Sequence, residues 1–170
     1  MGVSRAPGTP CLEPPLAGVT RVPASAIHLD TSFLIRALVR GSDADQMLRS
    51  WLREGHRLAM SSIAWTELLC GPLDATDREL AERSVAEPIP YDERDAEAAA
   101  ELFNETGRRR GSLLDCMIAA VAQRRGASLA TSNPDDFRRF ESLGLRLASS
   151  TVSQPDTESD EANRLEGEND

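Results

Sequence analysis

Short apolar runs that alternate with longer helical segments are the feature that most constrains the fold of this 170-residue chain. The runs AIHL at 26–29 and ASLATS at 127–132 have the usual length of a buried strand. The segments between such runs repeat apolar residues three and four positions apart, which is the spacing of an amphipathic helix. Because strand–helix–strand units are typical of parallel sheets, the alternation predicts an α/β sandwich with a central, mostly parallel sheet.

The individual elements are predicted from these periods and from Gly and Pro stop signals. Glycine ends the predicted helix at Gly55, and the Gly71-Pro72 pair ends another. The predicted strands are 26–29, 57–61, 127–132 and 144–148, with an extended piece at 87–91; the predicted helices are 32–40, 44–55, 63–71, 76–85, 93–107, 112–126 and 134–140.

The two ends of the chain differ in composition from the part between them. Residues 1–25 are rich in Pro, Gly and Ala, and they predict a disordered N-terminal extension. Residues 149–170 predict a disordered acidic tail, because one arginine stands against seven acidic residues there, a net −6 out of the chain's −9. The folded domain is therefore expected at 26–148, and it is only mildly acidic, which leaves nucleic-acid binding open.

Composition excludes several classes of function. All 19 basic residues are arginine, so P-loop NTPases and Schiff-base enzymes, which need a lysine, are excluded. The three cysteines are far apart and form no CxxC pair, which argues against a structural zinc site and favours a reducing compartment. No apolar run approaches about 18 residues, so no membrane span is expected and a cytoplasmic location is predicted.

Acidic residues stand where parallel strands end, which is where open α/β sheets bind ligands. Asp30 follows the first strand, and Asp135 and Asp136 follow the strand at 127–132. Glu67 lies in the helix after the second strand, and Asp115 opens the most apolar helix. Each acid also has a simpler interpretation.

The simpler interpretation is helix capping or surface exposure. Asp30 is a good N-cap type, Ser112 with Asp115 fits a capping box, and so does Asn133 with Asp136. Glu67 alone fits an ordinary exposed helix residue. Taken together, however, clustered carboxylates would repel one another, and a divalent cation removes that conflict. Mg²⁺ binds through one or two carboxylates plus water and phosphate, which is the arrangement that a phosphodiester nuclease needs.

Three stretches together resemble the PIN domain, in particular the VapC-type ribonuclease toxins of bacterial toxin–antitoxin pairs. They are IHLDTSFLIRAL, MSSIAWTELLCGP and LLDCMIAAVAQRRGASLATSNPDDF. The first resembles the family's strand end LDTS, the second its EL..G helix, and the third its run from Asp through Ile-Ala-Ala to Asp-Phe. The resemblance covers roughly residues 26–147, in order, and the third stretch is the strongest part of it.

The resemblance implies a PIN-like α/β/α sandwich and an endoribonuclease that depends on Mg²⁺ or Mn²⁺. It assigns catalytic roles to Asp30, Glu67 and Asp115, with Asp30 and Asp115 as metal ligands. The fourth catalytic acid is predicted to be Asp135, with Asp136 as the alternative. Some members of the family carry an acid where this chain has Asn133.

Hydroxyl groups beside these acids have two interpretations. Thr31, Ser32 and Thr131 either hydrogen-bond a water on the metal or cap the adjacent helices.

Arginines near the acids are candidates for holding RNA. Arg108, Arg109 and Arg110 precede Asp115, and Arg138, with its neighbour Arg139, follows the last acids. Arginine contacts to phosphate supply affinity that does not depend on sequence. A solvated loop is the alternative for the run 108–110, because charge runs are common in loops.

Two functions remain open from the sequence. The first is an endoribonuclease toxin whose partners are RNA and a cognate antitoxin protein, and which forms a homodimer, as the resemblance implies. The alternative is a catalytically weak or inactive PIN-like module that binds RNA or protein, an option kept open by Asn133. The tryptophans Trp51 and Trp65 are predicted either to mark an interface or to belong to the core.

Overall fold

A computed structural model of the protein describes residues 26–85, 88–109 and 111–148. The predicted disordered extension at 1–25 and the predicted acidic tail at 149–170 lie outside the described residues, as does Arg110. The domain boundaries at 26 and 148 therefore remain predictions.

A four-stranded parallel sheet forms the centre of the described structure, in the order β2-β1-β3-β4. The strands are β1 (Ala26–Leu29), β2 (Arg57–Ala59), β3 (Ser128–Ala130) and β4 (Arg146–Leu147). Residue 28 of β1 is paired with residue 59 of β2 on one side and with residue 129 of β3 on the other. All pairings are parallel, which confirms the predicted fold class.

Seven α-helices and one 3₁₀ helix surround the sheet within the described residues. They are α1 (Thr31–Leu38), α2 (Asp43–Glu54), α3 (Ser62–Cys70), α4 (Ala75–Ser84), α5 (Glu93–Glu105), α6 (Leu113–Arg124), α7 (Pro134–Phe137) and the 3₁₀ helix Arg138–Leu143. No described helix is both long and apolar enough to cross a membrane.

Helix α6 is the most buried helix, but its buried face differs from the one that the sequence predicts. At 3.6 residues per turn, the sequence predicts a core face of Leu114, Met117, Ile118 and Val121, with Ala119 and Ala122 on a different stripe. Leu114 is nevertheless 48% exposed, and both alanines are fully buried. The reason is that α6 packs against both α5 and α3, so that more than one stripe is covered. Small alanines at such positions allow two helices to approach closely.

The structure separates the two tryptophans. Trp51 is only 8% exposed and its ring stacks on Phe33, with ring centroids 5.2 Å apart. It therefore belongs to the core, which corrects the interface interpretation for this residue. Trp65 is partly buried and packs against the same core from α3.

Candidate active site

The order of the strands creates a crevice at the carboxyl ends of β1 and β3. From β1, the sheet extends to β2 on one side and to β3 on the other, so β1 and β3 flank the point at which the strand order reverses. Ligands of open α/β sheets bind outside this point. Asp30 is the first residue after β1, and its backbone N–H donates to the carbonyl of Ala130, the last residue of β3, at 2.9 Å.

The Asp30 carboxylate is held by two hydroxyl groups. Its Oδ2 accepts from Ser32 Oγ at 2.5 Å and from Thr131 Oγ1 at 2.9 Å. Each hydroxyl oxygen is itself oriented, because Ser32 Oγ accepts the backbone N–H of Ser132 and Thr131 Oγ1 accepts that of Asn133. Asp30 is only 6% exposed, so packing and hydrogen bonds together fix the position of its side chain.

A cavity of about 220 Å³ opens beside Asp30. Residues from four helices line this cavity, and four of the lining residues are acids. The described lining is Asp30, Thr31, Ser32, Ile35, Glu67, Asp115, Asn133, Asp136 and Phe137. The structure thus brings Asp30, Glu67 and Asp115 together, although they come from different parts of the chain.

Asp115 enters the cavity from the first turn of α6 and is ion-paired. Its Oδ2 accepts from Arg139 Nη2 at 2.9 Å. Burial nevertheless raises the pKa of the Asp115 carboxyl; the nearby acids Asp136 and Asp30 act in the same direction, and Arg139 opposes them. The ionised carboxylate is therefore held at some cost, as expected where acids converge.

Glu67 and the two acids of α7 differ in their surroundings. Glu67 is exposed on α3, and no ion pair or hydrogen bond joins its carboxylate to another described residue. Asp136 lines the cavity, whereas Asp135 does not. The Asp135 side chain is 85% exposed and pairs with Arg138 at 2.5 Å. The structure therefore does not bring the predicted fourth acid to the cavity; the alternative acid lies there instead.

A model of the PIN domain family matches residues 27–143. The chain belongs to the PIN domain family. This result confirms the resemblance seen in the sequence, and the parallel sheet with helices on its faces is the fold which that resemblance implied. None of the curated protein sequences matches the chain.

Solved structures with the same fold include chains from toxin–antitoxin complexes. VapBC2 from Rickettsia felis, bound to a DNA fragment from its promoter, matches with a TM-score of 0.58 at 23% identity, over 72% of this chain and 97% of that one. DNA-bound VapBC from Salmonella typhimurium matches with a TM-score of 0.57 at 24% identity, over 74% and 98%. A toxin–antitoxin complex from Klebsiella pneumoniae matches with a TM-score of 0.54 at 28% identity, over 66% and 90%.

Capping does not account for the acids of this PIN domain. Asp30 precedes α1 in an extended conformation but makes no side-chain cap hydrogen bond. Ser112 and Asn133 make none either, so neither predicted capping box forms. Thr31 Oγ1 donates to the carbonyl of Ala64 and ties α1 to α3. The carboxylates are thus left for contacts within the cavity.

Of the arginines predicted to bind RNA, the described ones, Arg108, Arg109 and Arg138, lie outside the lining of the cavity. Arg108 has a positive φ of 52°, and its Nε donates to Asn104 Oδ1, so it belongs to a tight loop after α5. Arg109 is exposed, and Arg138 pairs with Asp135. No sequence pattern indicates the Arg139–Asp115 pair, because 24 positions separate the two residues and only the fold brings them together.

The donor types at the cavity of this PIN domain fit a hard divalent cation, since carboxylate oxygens are the ligands that Mg²⁺ and Mn²⁺ take. Within the described residues, however, no three His, Cys, Asp or Glu side chains stand close enough to share one ion. These two observations agree physically, because Asp115 points to Arg139 and Glu67 reaches towards solvent. The residues fit the metal in kind, and Arg139 engages only one oxygen of the Asp115 carboxylate, Oδ2.

A larger cavity of about 810 Å³ lies elsewhere, around the amino ends of β1 and β2. Its described lining includes His28, Arg57 and Arg125 and contains no acid. It shares no described residue with the acidic cavity. Size alone would favour this cavity, but the carboxylates and the oriented hydroxyl of Ser32 line the smaller one, which is therefore the candidate site.

Proposed function

We propose that this PIN domain is a metal-dependent endoribonuclease with Asp30, Glu67, Asp115 and Asp136 as its catalytic acids, acting as the toxin of a toxin–antitoxin pair. The observation that carries the proposal is the convergence of these four acids on one cavity at the carboxyl ends of the strands. Asp136 replaces Asp135 in the proposal because Asp135 points to solvent.

Hydrolysis of a phosphodiester needs a water oxygen to bond to phosphorus while the bond from phosphorus to the leaving ribose oxygen breaks and that oxygen gains a proton. A bound Mg²⁺ or Mn²⁺ supplies an activated water and neutralises charge on the phosphate. Asp30 and Asp115 are the residues that would hold it. Ser32 and Thr131 fix Asp30 in place, and Glu67, which is not engaged by another described residue, is available to take a proton from water.

The proposal is tested by cleavage of a mixed-sequence RNA by the full chain. Asp30→Asn is expected to lower the cleavage rate about 1,000-fold, because it removes a charged ligand while keeping the shape of the side chain. The matched control is Asp43→Asn, which removes the same charge from an exposed position in the first turn of α2. EDTA should abolish cleavage, and Mg²⁺ or Mn²⁺ should restore it. Equal rates for Asp30→Asn and Asp43→Asn would refute the assignment.

An antitoxin protein is the proposed partner, together with a homodimer of this chain. Complexes of this kind occur among the structures that share the fold. Exposed apolar side chains lie on the elements around the cavity: Ile35 lines it, Val39 directly follows α1, and Leu69 and Leu80 lie on α3 and α4, the helices that α1 contacts. Such a surface suits an apolar peptide segment. Light scattering of the chain alone tests the dimer.

The second candidate function is a PIN-like module that binds RNA or protein with little catalysis. Two observations favour it: Asn133 contributes an amide instead of an acid to the cavity, and Asp115 is already paired with an arginine. A chain that binds RNA with the same affinity in Asp30→Asn and wild type, and that cleaves in neither, would support this alternative.

A further inference from the structure

Arg139 stands out among the residues around the candidate site. Of the four acids that line the cavity, Asp115 alone forms an ion pair within the described residues, and Arg139 is its partner. Both side chains are largely covered, with 19% of Arg139 and 29% of Asp115 exposed. A pair of this kind is shielded from solvent far more than a surface ion pair, so it contributes real electrostatic energy to the site.

The guanidinium of Arg139 is fixed by an aromatic ring. Its central carbon lies 4.7 Å from the ring centroid of Phe140. Phe140 is fully buried and meets Phe137, which lines the cavity, in an edge-to-face contact at 6.1 Å. This arrangement limits the freedom of the arginine to swing away from Asp115, which lines the cavity, because a planar guanidinium stacks on aromatic faces.

The hydrogen bonding of Arg139 is incomplete. Its Nε is buried, and no hydrogen-bond partner for this atom is present in the structure. A guanidinium has five N–H donors, and the contact with Asp115 uses one nitrogen, Nη2. Buried donors without partners are rare and costly, and each one in a native structure calls for an explanation, such as a catalytic role or a water or ion that completes the hydrogen bonding. An acceptor oxygen bound to Arg139 would lie beside Asp115, which lines the cavity.

We infer that Arg139 is a substrate-binding residue that is paired with Asp115 before a divalent cation arrives and binds the scissile phosphodiester once the cation holds Asp115. The inference rests on the proposed nuclease function and deepens it. Two cations cannot share one carboxylate without repulsion, so metal binding at Asp115 loosens its hold on the arginine. The anionic phosphate offers two oxygens to the guanidinium fork, which a single Asp115 oxygen does not.

The inference makes opposite predictions for metal and for RNA. Removing the arginine charge in Arg139→Gln should make Mn²⁺ bind about tenfold more tightly in the absence of RNA, because a cation that competes for Asp115 is gone. The same variant should cleave RNA about 100-fold more slowly in kcat/KM at saturating Mn²⁺. Arg139→Lys keeps the charge but loses the fork, so its Mn²⁺ affinity should stay near that of the wild type while kcat/KM falls about tenfold.

The experiment compares the full-length wild type, Arg139→Gln, Arg139→Lys and the control Arg78→Gln. Arg78 pairs with Glu82 on the exposed face of α4, so the control removes the same charge from an arginine–carboxylate pair outside the cavity lining. Free Mn²⁺ is measured by electron paramagnetic resonance, RNA cleavage by single-turnover kinetics, and folding by thermal melting. Opposite shifts in metal affinity and RNA cleavage for Arg139→Gln, with neither in Arg78→Gln, support the inference.

Three results would overturn it, and they differ from one another. If the wild type binds Mn²⁺ and cleaves RNA, but Arg139→Gln matches Arg78→Gln in both, the role of Arg139 fails while the nuclease stands. If the wild type neither binds Mn²⁺ nor cleaves RNA better than Asp30→Asn, the proposed function fails and the inference fails with it. If Arg139→Gln melts much earlier than wild type, Arg139→Lys decides: unchanged kcat/KM in that variant also overturns the inference.

Discussion

Helix α6 carries a carboxylate–arginine contact at each end, and the two contacts differ in how completely they are hydrogen-bonded. In the last turn, Arg124 reaches α5, where its Nε donates to Asp95 Oδ1 at 2.5 Å and its Nη2 to Asp92 Oδ2 at 2.8 Å. In the first turn, Asp115 accepts a single hydrogen bond from Arg139. Both arrangements suit the helix dipole, which favours acids at the start and bases at the end.

The cluster at the end of α6, formed by Arg124, Asp92 and Asp95, is closed. Asp95 has no exposed surface, and its second oxygen accepts the backbone N–H of Asp92 at 3.0 Å. The Asp92 carboxylate in turn accepts the backbone N–H of Asp95, and the two hydrogen bonds form a capping box at the start of α5. Every carboxylate oxygen of the cluster therefore has a donor, and the cluster fastens α5 to α6.

The contact at the start of α6 is open by comparison. Asp115 is partly exposed, burial raises the pKa of its carboxyl, and the partner arginine keeps an unpaired buried N–H. The difference teaches that a buried polar network stabilises a fold only when its members are all satisfied. An unsatisfied network of similar composition is the better candidate for a site that awaits a ligand.

The largest expected effect concerns the closed cluster. Asp95→Asn should lower the free energy of unfolding by about 3 kcal/mol. The amide NH₂ would replace an oxygen that accepts from Arg124 or from the Asp92 N–H, so two donors would face each other at a site with no access to water. Asp115→Asn should lower the free energy of unfolding much less, because Asp115 is partly exposed and burial raises the pKa of its carboxyl, so the lost ion pair with Arg139 is offset by the removal of a disfavoured charge. Urea unfolding at neutral pH measures both. A loss of stability in Asp115→Asn as large as in Asp95→Asn would break the comparison.

The next effect is a dependence on pH from His28, which lies near the closed cluster. The pKa of His28 is lowered to about 4, first by burial and then by the charge of Arg125, against the opposing effect of Asp95. In the unfolded chain, His28 therefore binds a proton near pH 6.5, whereas in the folded chain it stays neutral until the pH approaches 4. The contribution of His28 to the free energy of unfolding is fully present above pH 6.5. It is lost as the pH falls towards 4, which lowers the free energy of unfolding by about 3 kcal/mol in total.

Replacing the histidine tests this sign. Between pH 6.5 and pH 4, the free energy of unfolding of His28→Leu should fall by about 3 kcal/mol less than that of the wild type. Denaturant unfolding at a series of pH values measures this difference. Its RNA cleavage at neutral pH should match that of the wild type, because His28 does not line the acidic cavity. Identical pH slopes for both proteins would mean that His28 is protonated in the fold.

The smallest expected effect separates the two acids of α7. Asp136→Asn should lower kcat/KM for RNA ten- to 100-fold, the range usual for groups that support a metal site, because Asp136 lines the cavity. Asp135→Asn should change it less than threefold, since that side chain is exposed and pairs only with Arg138 among the described residues. Single-turnover cleavage of the same RNA by both variants decides. A larger loss in Asp135→Asn would restore the assignment made from the sequence.

The sequence alone was sufficient for the fold class and for the family. Short apolar runs cannot form a stable structure unless they pair, and helices between them force parallel pairing, so the α/β architecture follows from local patterns. The motif around Asp30 and the run from Asp115 to Phe137 were specific enough to indicate the PIN domain, which the family match to residues 27–143 confirmed. The roles of Asp30, Glu67 and Asp115 remain predictions, now with the geometry of a common cavity behind them.

Local sequence patterns did not predict the properties that depend on how helices and strands pack together. Asp135 and Asp136 are adjacent in sequence and equally acidic, and only the direction of α7 sends one to the cavity and the other to solvent. Leu114 is apolar and yet exposed, because α5 and α3 cover other faces of α6. Periodicity gives the stripes of a helix, but the neighbours decide which stripe is buried.

The pair between Arg139 and Asp115 shows the same limit at the candidate site. The sequence determined which chemical groups this protein has: many acids at strand ends, arginine as its only strong base, and hydroxyls beside Asp30. Only the tertiary structure decided that one arginine, stacked on Phe140, meets one acid across 24 positions and is left with an unpaired donor. The physical reason is that electrostatic and hydrogen-bond energies depend on distance and burial, and neither is a property of sequence separation.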